Sequence, residues 1–376
     1  MKLRSISLLL VIVVASAVLT CSDDDCPVCP APFTKPAPYD GWVYTTADWN
    51  AASVYKIDAA TGLLEDSIYR GTYDGGAGYV DVTSDGRYLV VTYTGDFDTV
   101  LGRFGPGYTC LLDAQTLEPI QDIPFKFTPI FDNERNLLLG FRNDSLYCFS
   151  VPGLEVVYAD SIGSLWEPML YEPDTLVYGA KSEAHDSVIA YNYLTRDIRG
   201  SWNIRNDAGV SVYLGKLDIH PDGSKLYFVA EERNSKFSIF GAWDLRFDML
   251  VSSFPMASDH GDVRVSPSGK EVYVTDPGVA GFIFPSPGSI FVFDASDCNY
   301  ITGISLYGYG TTPGYPLQGN WIAFTPNASH AFVSTGRVEK ASGTMLMIDV
   351  FEKRIVHLTW PELGHVLYFV AVGPKR

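Results

Sequence analysis

Two histidines occupy matching places in this chain: His260 precedes Gly261 and His365 follows Gly364, each shortly before an apolar run. A pair of imidazoles is able to ligate a metal or to exchange protons near neutrality. Comparable positions ahead of other apolar runs hold Trp166 with Glu167, then Lys216, then Asn320 with Trp321. Together they offer a carboxylate, an amine, an amide and two indoles, enough to bind a polar ligand or to pass a proton. A loop histidine that bonds a neighbouring backbone group is the plainer account of each imidazole. The sequence has no Gly-x-Ser-x-Gly elbow, phosphate loop, His-Glu-x-x-His or haem-attachment Cys-x-x-Cys-His. No catalytic residue, metal or cofactor is therefore expected.

Aromatic side chains supply the second kind of chemistry. Phe282 lies in the Gly/Pro-rich stretch from Asp276 to Gly288, and Tyr309 and Tyr315 in the stretch from Tyr307 to Pro316. A third insertion runs from Thr94 to Pro106 and holds Asp96 and Asp98, spaced like calcium ligands but without the full twelve-residue loop. Long loops of this composition commonly bind, their rings stacking on sugars or anchoring a protein partner. The alternative is that they fold over apolar edges of the domain.

The elements that position these residues come from a repeat. A hairpin signal recurs in Thr83-Ser-Asp-Gly86, His220-Pro-Asp-Gly223, Ser266-Pro-Ser-Gly269 and Thr325-Pro-Asn-Ala328, with weaker forms at Asp132-Asn-Glu-Arg135 and Glu172-Pro-Asp-Thr175. Proline presets φ, Asp or Asn bonds the local backbone, and Gly adopts the left-handed conformation without steric cost. A second signal, an apolar strand ending in a small polar residue, recurs at Asp58, Asp113, Ser150, Asn192, Asp244, Asp294 and Asp349. That makes seven strand ends against six hairpins. The termini account for the difference: the chain ends on a strand that should precede a hairpin (about 365–373) and its ordered part begins on one that should follow it (about 41–47). Pairing them closes an all-β, seven-bladed propeller of four-stranded antiparallel blades over residues 40–376, with about 48 residues per blade.

In such a ring the first strand of each blade lines the axis. Trp166, Glu167, Lys216, His260, Asn320 and His365 then converge on one rim, at the mouth of the axial channel, and the long aromatic loops rise beside them. The Pro-Asp-Gly turns face the other way. His260 and His365 fall on the sixth and first blades, which are not neighbours, so a single metal between them is not expected.

The segment from Val265-Ser-Pro-Ser-Gly-Lys270 through Val272-Tyr-Val-Thr-Asp276 resembles the YVTN-type, quinoprotein amine dehydrogenase-like propeller repeats. The third element of that repeat appears as Met345-Leu-Met-Ile-Asp349 and Ser53-Val-Tyr-Lys-Ile-Asp58. The resemblance covers residues 40–376 and implies the propeller fold. The wider group includes surface proteins, lactonases and quinoprotein dehydrogenase subunits, so what it implies for function is open. A quinoprotein subunit would also need a cofactor-bearing partner.

Residues 1–20 read as a signal peptide, with Lys2 and Arg4 ahead of an apolar stretch. Val18-Leu-Thr-Cys21 resembles a bacterial lipoprotein box, in which Cys21 would carry the lipid; Thr20 departs from the small residue usual there. Cleavage after Ala15-Ser-Ala17 is the alternative and would give a soluble secreted protein. Residues 21–39, acidic and then Pro-rich, make a flexible spacer. Cys26 and Cys29 have a disulfide or metal spacing without a second pair. Removing the leader takes the formal charge from −17 to about −19, which excludes nucleic acid as a partner. The expectation is a monomeric, non-catalytic envelope module that meets the outer membrane only through its lipid and binds a protein or glycan through its rim. A lactonase-like or dehydrogenase-like rim enzyme is the alternative.

Overall fold

The computed structural model describes residues 35–47, 53–70, 76–95, 97–98, 103–181, 185–232, 238–256, 261–276, 288–306, 318–336, 343–359 and 367–376. Cys21, Cys26, Cys29, His260, Phe282, Tyr309, Tyr315 and His365 lie outside these residues. The chain divides into two compact units, Met1–Pro36 and Ala37–Arg376, and the second carries the fold. Among the described residues no helix is long and apolar enough to cross a membrane.

Seven antiparallel sheets of four strands make a β-propeller. The inner strands are Leu367–Pro374 (blade 1), Ala77–Val82 (blade 2), Thr128–Asp132 (blade 3), Leu165–Tyr171 (blade 4), Val212–Ile219 (blade 5), Val263–Val265 (blade 6) and Gln318–Phe324 (blade 7). Each touches the inner strand on either side, so the seven surround an axis. In blade 1 the last strand of the chain pairs with its first, Trp42 opposite Gly373 and Tyr44 opposite Ala371. The insertion after the second strand of blade 2 forms a small ribbon of its own, Phe97–Asp98 against Arg103–Phe104.

The core is divided rather than central. Seven apolar clusters each fill the space between two adjacent blades, such as Val90, Phe131 and Leu138 between blades 2 and 3 and Val229, Phe240 and Val274 between blades 5 and 6. Middle strands read apolar on both faces because each is sandwiched between two such clusters. Cys110 packs toward blade 1 and Cys148 toward blade 4, both as buried free thiols. Burial raises both thiols, that of Cys148 to about 11. They serve as small hydrophobes. Cys298 is likewise buried and free.

The two recurring signals have distinct physical reasons. Gly86, Gly223 and Gly269 have φ between +67° and +73°, the conformation that glycine adopts most cheaply. In the hairpin that ends on Ala328, and in the two weaker ones, Ala328, Asn136 and Thr175 hold it instead, at +53°, +55° and +57°. The small polar strand ends bind the turn that follows. Asp113 Oδ1 accepts the N–H groups of Gln115 and Thr116, and Asp244 Oδ1 those of Arg246 and Phe247. Just beyond that site a third device ties blades together. The hydroxyls of Tyr44, Tyr227 and Tyr273 donate to the carbonyls of Ala114, Ala295 and Val350, each in the next blade.

Candidate functional site

The inner strands are irregular where they enter the ring. Their pairing with the second strand slips at Leu367/Val370 in blade 1, Ala77/Val80 in blade 2, Trp166/Met169 in blade 4, Leu214/Lys216 in blade 5 and Gly319/Trp321 in blade 7. A bulge adds an unpaired residue and re-aims the side chains beside it. Glu167 has φ +47° at its bulge, although it is not a glycine. Strain of that kind costs of order 1–3 kcal/mol and persists only where surrounding contacts fix it.

The re-aimed side chains meet across the axis in a closed circuit. Tyr79 of blade 2 lies 4.0 Å, ring to ring, from Phe369 of blade 1. Phe369 lies 4.2 Å from Trp321 of blade 7. Above the Trp321 ring, at 4.0 Å, stands the Lys216 ammonium of blade 5. Lys216 Nζ is 2.5 Å from Glu167 Oε1 of blade 4, and the Tyr79 hydroxyl donates to that same oxygen at 3.5 Å. The ion-paired side chains are only 12% and 14% exposed, so each is the other's main compensation for lost water. Burial, then the charge of Glu167, push the Tyr79 phenol up and keep it a donor.

Below the circuit a cavity of about 540 Å³ runs toward the turns. Its wall includes Asn133, Pro173 and Pro221 from three of the hairpins, and both prolines are exposed, so it opens on the turn face. Tyr79, Glu167, Trp321 and Phe369 form its floor, and four carboxylates (Asp81, Glu167, Glu172, Asp218) share the lining with one cation, Arg264.

Most of these charges are already engaged. Asp81 accepts the Phe131 N–H of the next blade at 2.9 Å, and Asp218 accepts that of Val265 at 2.6 Å. Asp262, fully buried, does the same for Ile322 at 2.9 Å and pairs with Arg264 at 3.2 Å. Burial outweighs these bonds and pushes the Asp81 and Asp218 carboxyls up to about 6. Burial raises Asp262 too, against the pull of Arg264 and Lys216. For Arg264 burial opposes the charge, but Asp262, Asp218 and Glu167 more than offset it and hold the guanidinium firmly protonated. Its Nε faces Asp262, and among the described residues the guanidinium is the one cation in the cavity lining.

The other residues singled out in the sequence have separate fates. Trp166 is 47% exposed; its indole N–H donates to the Gly215 carbonyl of blade 5 at 3.2 Å, and its ring faces the rim rather than the axis cavity. Asn320 uses its amide to donate to the Leu367 carbonyl of blade 1 at 2.9 Å, a tie between blades. His220, on the turn face, sits 2.6 Å from Asp222, with its other ring nitrogen 2.9 Å from the Gly269 carbonyl of the next hairpin. Among the described residues no group of three or more His, Cys, Asp or Glu is placed to hold a metal. The sequence reading passed over Asp81, Asp218, Asp262, Arg264 and Phe369. One signal was available: Asp81, Asp218 and Arg264 each stand two residues before a hairpin signal, within otherwise apolar strands.

No family model matches the chain, and no curated protein matches it. Its fold is similar to several solved structures. One is dihydro-heme d1 dehydrogenase NirN in complex with DHE, at 13% identity over 92% of this chain and 77% of that one, TM-score 0.53. Another is the hydrazine synthase of Kuenenia stuttgartiensis, at 14% identity over 75% and 79%, TM-score 0.54. A third is the Cps50 (Swd1) β-propeller domain of Myceliophteria thermophila, at 13% identity over 77% and 86%, TM-score 0.53. At such identity the likeness shows the fold alone, and enzymes stand beside a non-enzyme in the set.

Proposed function

We propose that this propeller is a binding module that holds a small polar ligand in its axial cavity. One observation carries the reading: the floor of the cavity is a completed circuit of aromatic and ion-paired side chains, with no activated nucleophile in it. A preformed, mostly rigid pocket of this size, with a few polar groups against aromatic walls, is suited to a small molecule. Four carboxylates against one guanidinium disfavour a polyanion such as a nucleotide. A neutral polyhydroxyl or an amine, accepting from or donating to Arg264, Asp81 and Asp218, suits the lining.

The test is a thermal-shift screen of sugars, amines and amino acids against wild type and Trp321→Ala. The expected result is a ligand that raises the wild-type midpoint by a few degrees and fails to do so in the variant. Equal shifts in both proteins would remove the ligand from this cavity.

A second reading, the rim or channel enzyme, is favoured by burial, which pushes the Asp81 and Asp218 carboxyls up to about 6, in the range of a working acid or base. Both oxygens of each carboxyl accept a backbone N–H, Asp81 from Val82 and Phe131 and Asp218 from Ile219 and Val265, so a proton-transfer role must use their second lone pairs. Hydrolysis of a lactone panel that is lost in Asp218→Asn, with the fold intact, would replace the binding reading by the catalytic one.

The same reading has Cys21 carry a lipid that holds a monomeric ring at the bacterial outer membrane. The resemblance of Val18-Leu-Thr-Cys21 to a bacterial lipoprotein box and the acidic spacer support it. A Cys21→Ser protein should leave the membrane fraction, and its retention there would sink the assignment.

A further inference from the structure

On the rim opposite the cavity opening, three rings from two blades form a platform. Tyr213, at the start of the inner strand of blade 5, stacks on His185 at 4.2 Å with 15° between the planes. His185 in turn meets Trp166 edge-on at 5.6 Å. Trp166 and Tyr213 remain 47% and 43% exposed. Exposed rings are common singly, but these are held. The bond to the Gly215 carbonyl fixes the Trp166 indole. His185 has φ +51°, a left-handed conformation that few residues other than glycine adopt and that histidine enters more readily than most. Its N–H donates to the Lys181 carbonyl, and its own carbonyl accepts from Leu214. The open faces therefore belong to rings that have already lost their freedom, which lowers the entropy cost of binding against them.

We propose that this platform binds a pyranose ring of a neutral polysaccharide. The surrounding strand positions are polar: Glu231 pairs across the strands with Tyr213, Lys181 pairs with Leu165 beside Trp166, and the bridge between Arg205 and Ser211 lies just before the strand. Three rings amid polar groups fall far short of the roughly 800 Å² per partner that a stable protein interface buries. They match the face of one or two sugar rings, whose axial C–H groups pack on the negative face of an aromatic ring while the hydroxyls reach the polar border. An acidic glycan is disfavoured by the chain's net charge of −17. The inference is independent of the axial cavity, which opens on the other face.

Affinity electrophoresis of the full chain through gels cast with β-glucan, xylan or mannan tests it. At least one polysaccharide should retard the wild type, and Trp166→Ala or Tyr213→Ala should weaken that retardation about 10-fold, the equivalent of about 1.4 kcal/mol. Trp166→Phe should recover part of it, which separates loss of the ring from loss of the fold. Phe247→Ala, at an exposed ring in an outer hairpin on the turn face, should leave retardation unchanged. No retardation of the wild type by any of the three, or retardation that survives both alanine variants, overturns the proposal.

Discussion

At the turn end of the inner strands, side chains serve the backbone: Asp81 and Asp218 each hold an N–H of the next blade, and Gly86, Gly223 and Gly269 supply the left-handed residue. At the loop end, five strands slip register, and Tyr79, Glu167, Lys216 and Trp321 serve one another across the axis. One end repeats from blade to blade; the other uses each position once. Repetition here marks what the fold requires. Departures from it mark the residues free to do something else.

The largest effect expected from breaking this contrast is at Asp262, which joins the two kinds of contact. Asp262→Ala strands both the Arg264 charge and the Ile322 N–H, and should cost about 3–5 kcal/mol in urea unfolding. Asp262→Asn, which keeps an acceptor for Ile322, should cost clearly less. Glu167→Gln comes next: it leaves Lys216 without its counter-charge, and a loss of about 3 kcal/mol is expected. If Glu167→Gln costs nothing, the circuit is not what fixes the bulge in blade 4. Tyr227→Phe, at the turn end, removes one bond to a buried carbonyl and should cost about 1–2 kcal/mol. Asp244→Ala, which frees only two turn N–H groups near solvent, should cost about 1 kcal/mol.

A separate effect is in pH. The folded-state carboxyls of Asp81 and Asp218 sit near 6, above the roughly 3.9 of an unfolded Asp. Between those values the folded protein binds more protons than the unfolded chain, so this pair lowers stability as pH rises from about 4 to about 6. The double variant Asp81→Asn/Asp218→Asn should flatten that slope of the melting temperature. An unchanged slope would show that neither carboxyl carries the perturbation.

Legibility in the sequence follows the same division. The hairpins, the polar strand ends and the count of seven blades were readable, because turns draw on few residue types for local reasons. Even the degenerate hairpins could be found: Asn136 is of a type that tolerates the left-handed conformation, although nothing in Thr175 announces a positive φ. Glu167 and Lys216 were singled out by position, but their pairing was not. A bulge inserts one residue and reverses which side chains face inward, and alternation of apolar residues does not record it. Phe369 lies within an apolar run and Arg264 beside one, and nothing in their sequence positions sets either apart. His185 and Tyr213 were invisible as a pair, because loop and strand come together only when blades 4 and 5 stack.

The side-chain circuit has one more consequence. Its five members come from blades 1, 2, 4, 5 and 7, so one change in it is felt by strands far apart in the chain. The last strand of the sequence, through Phe369, is thereby tied to the middle of the chain as well as to its start.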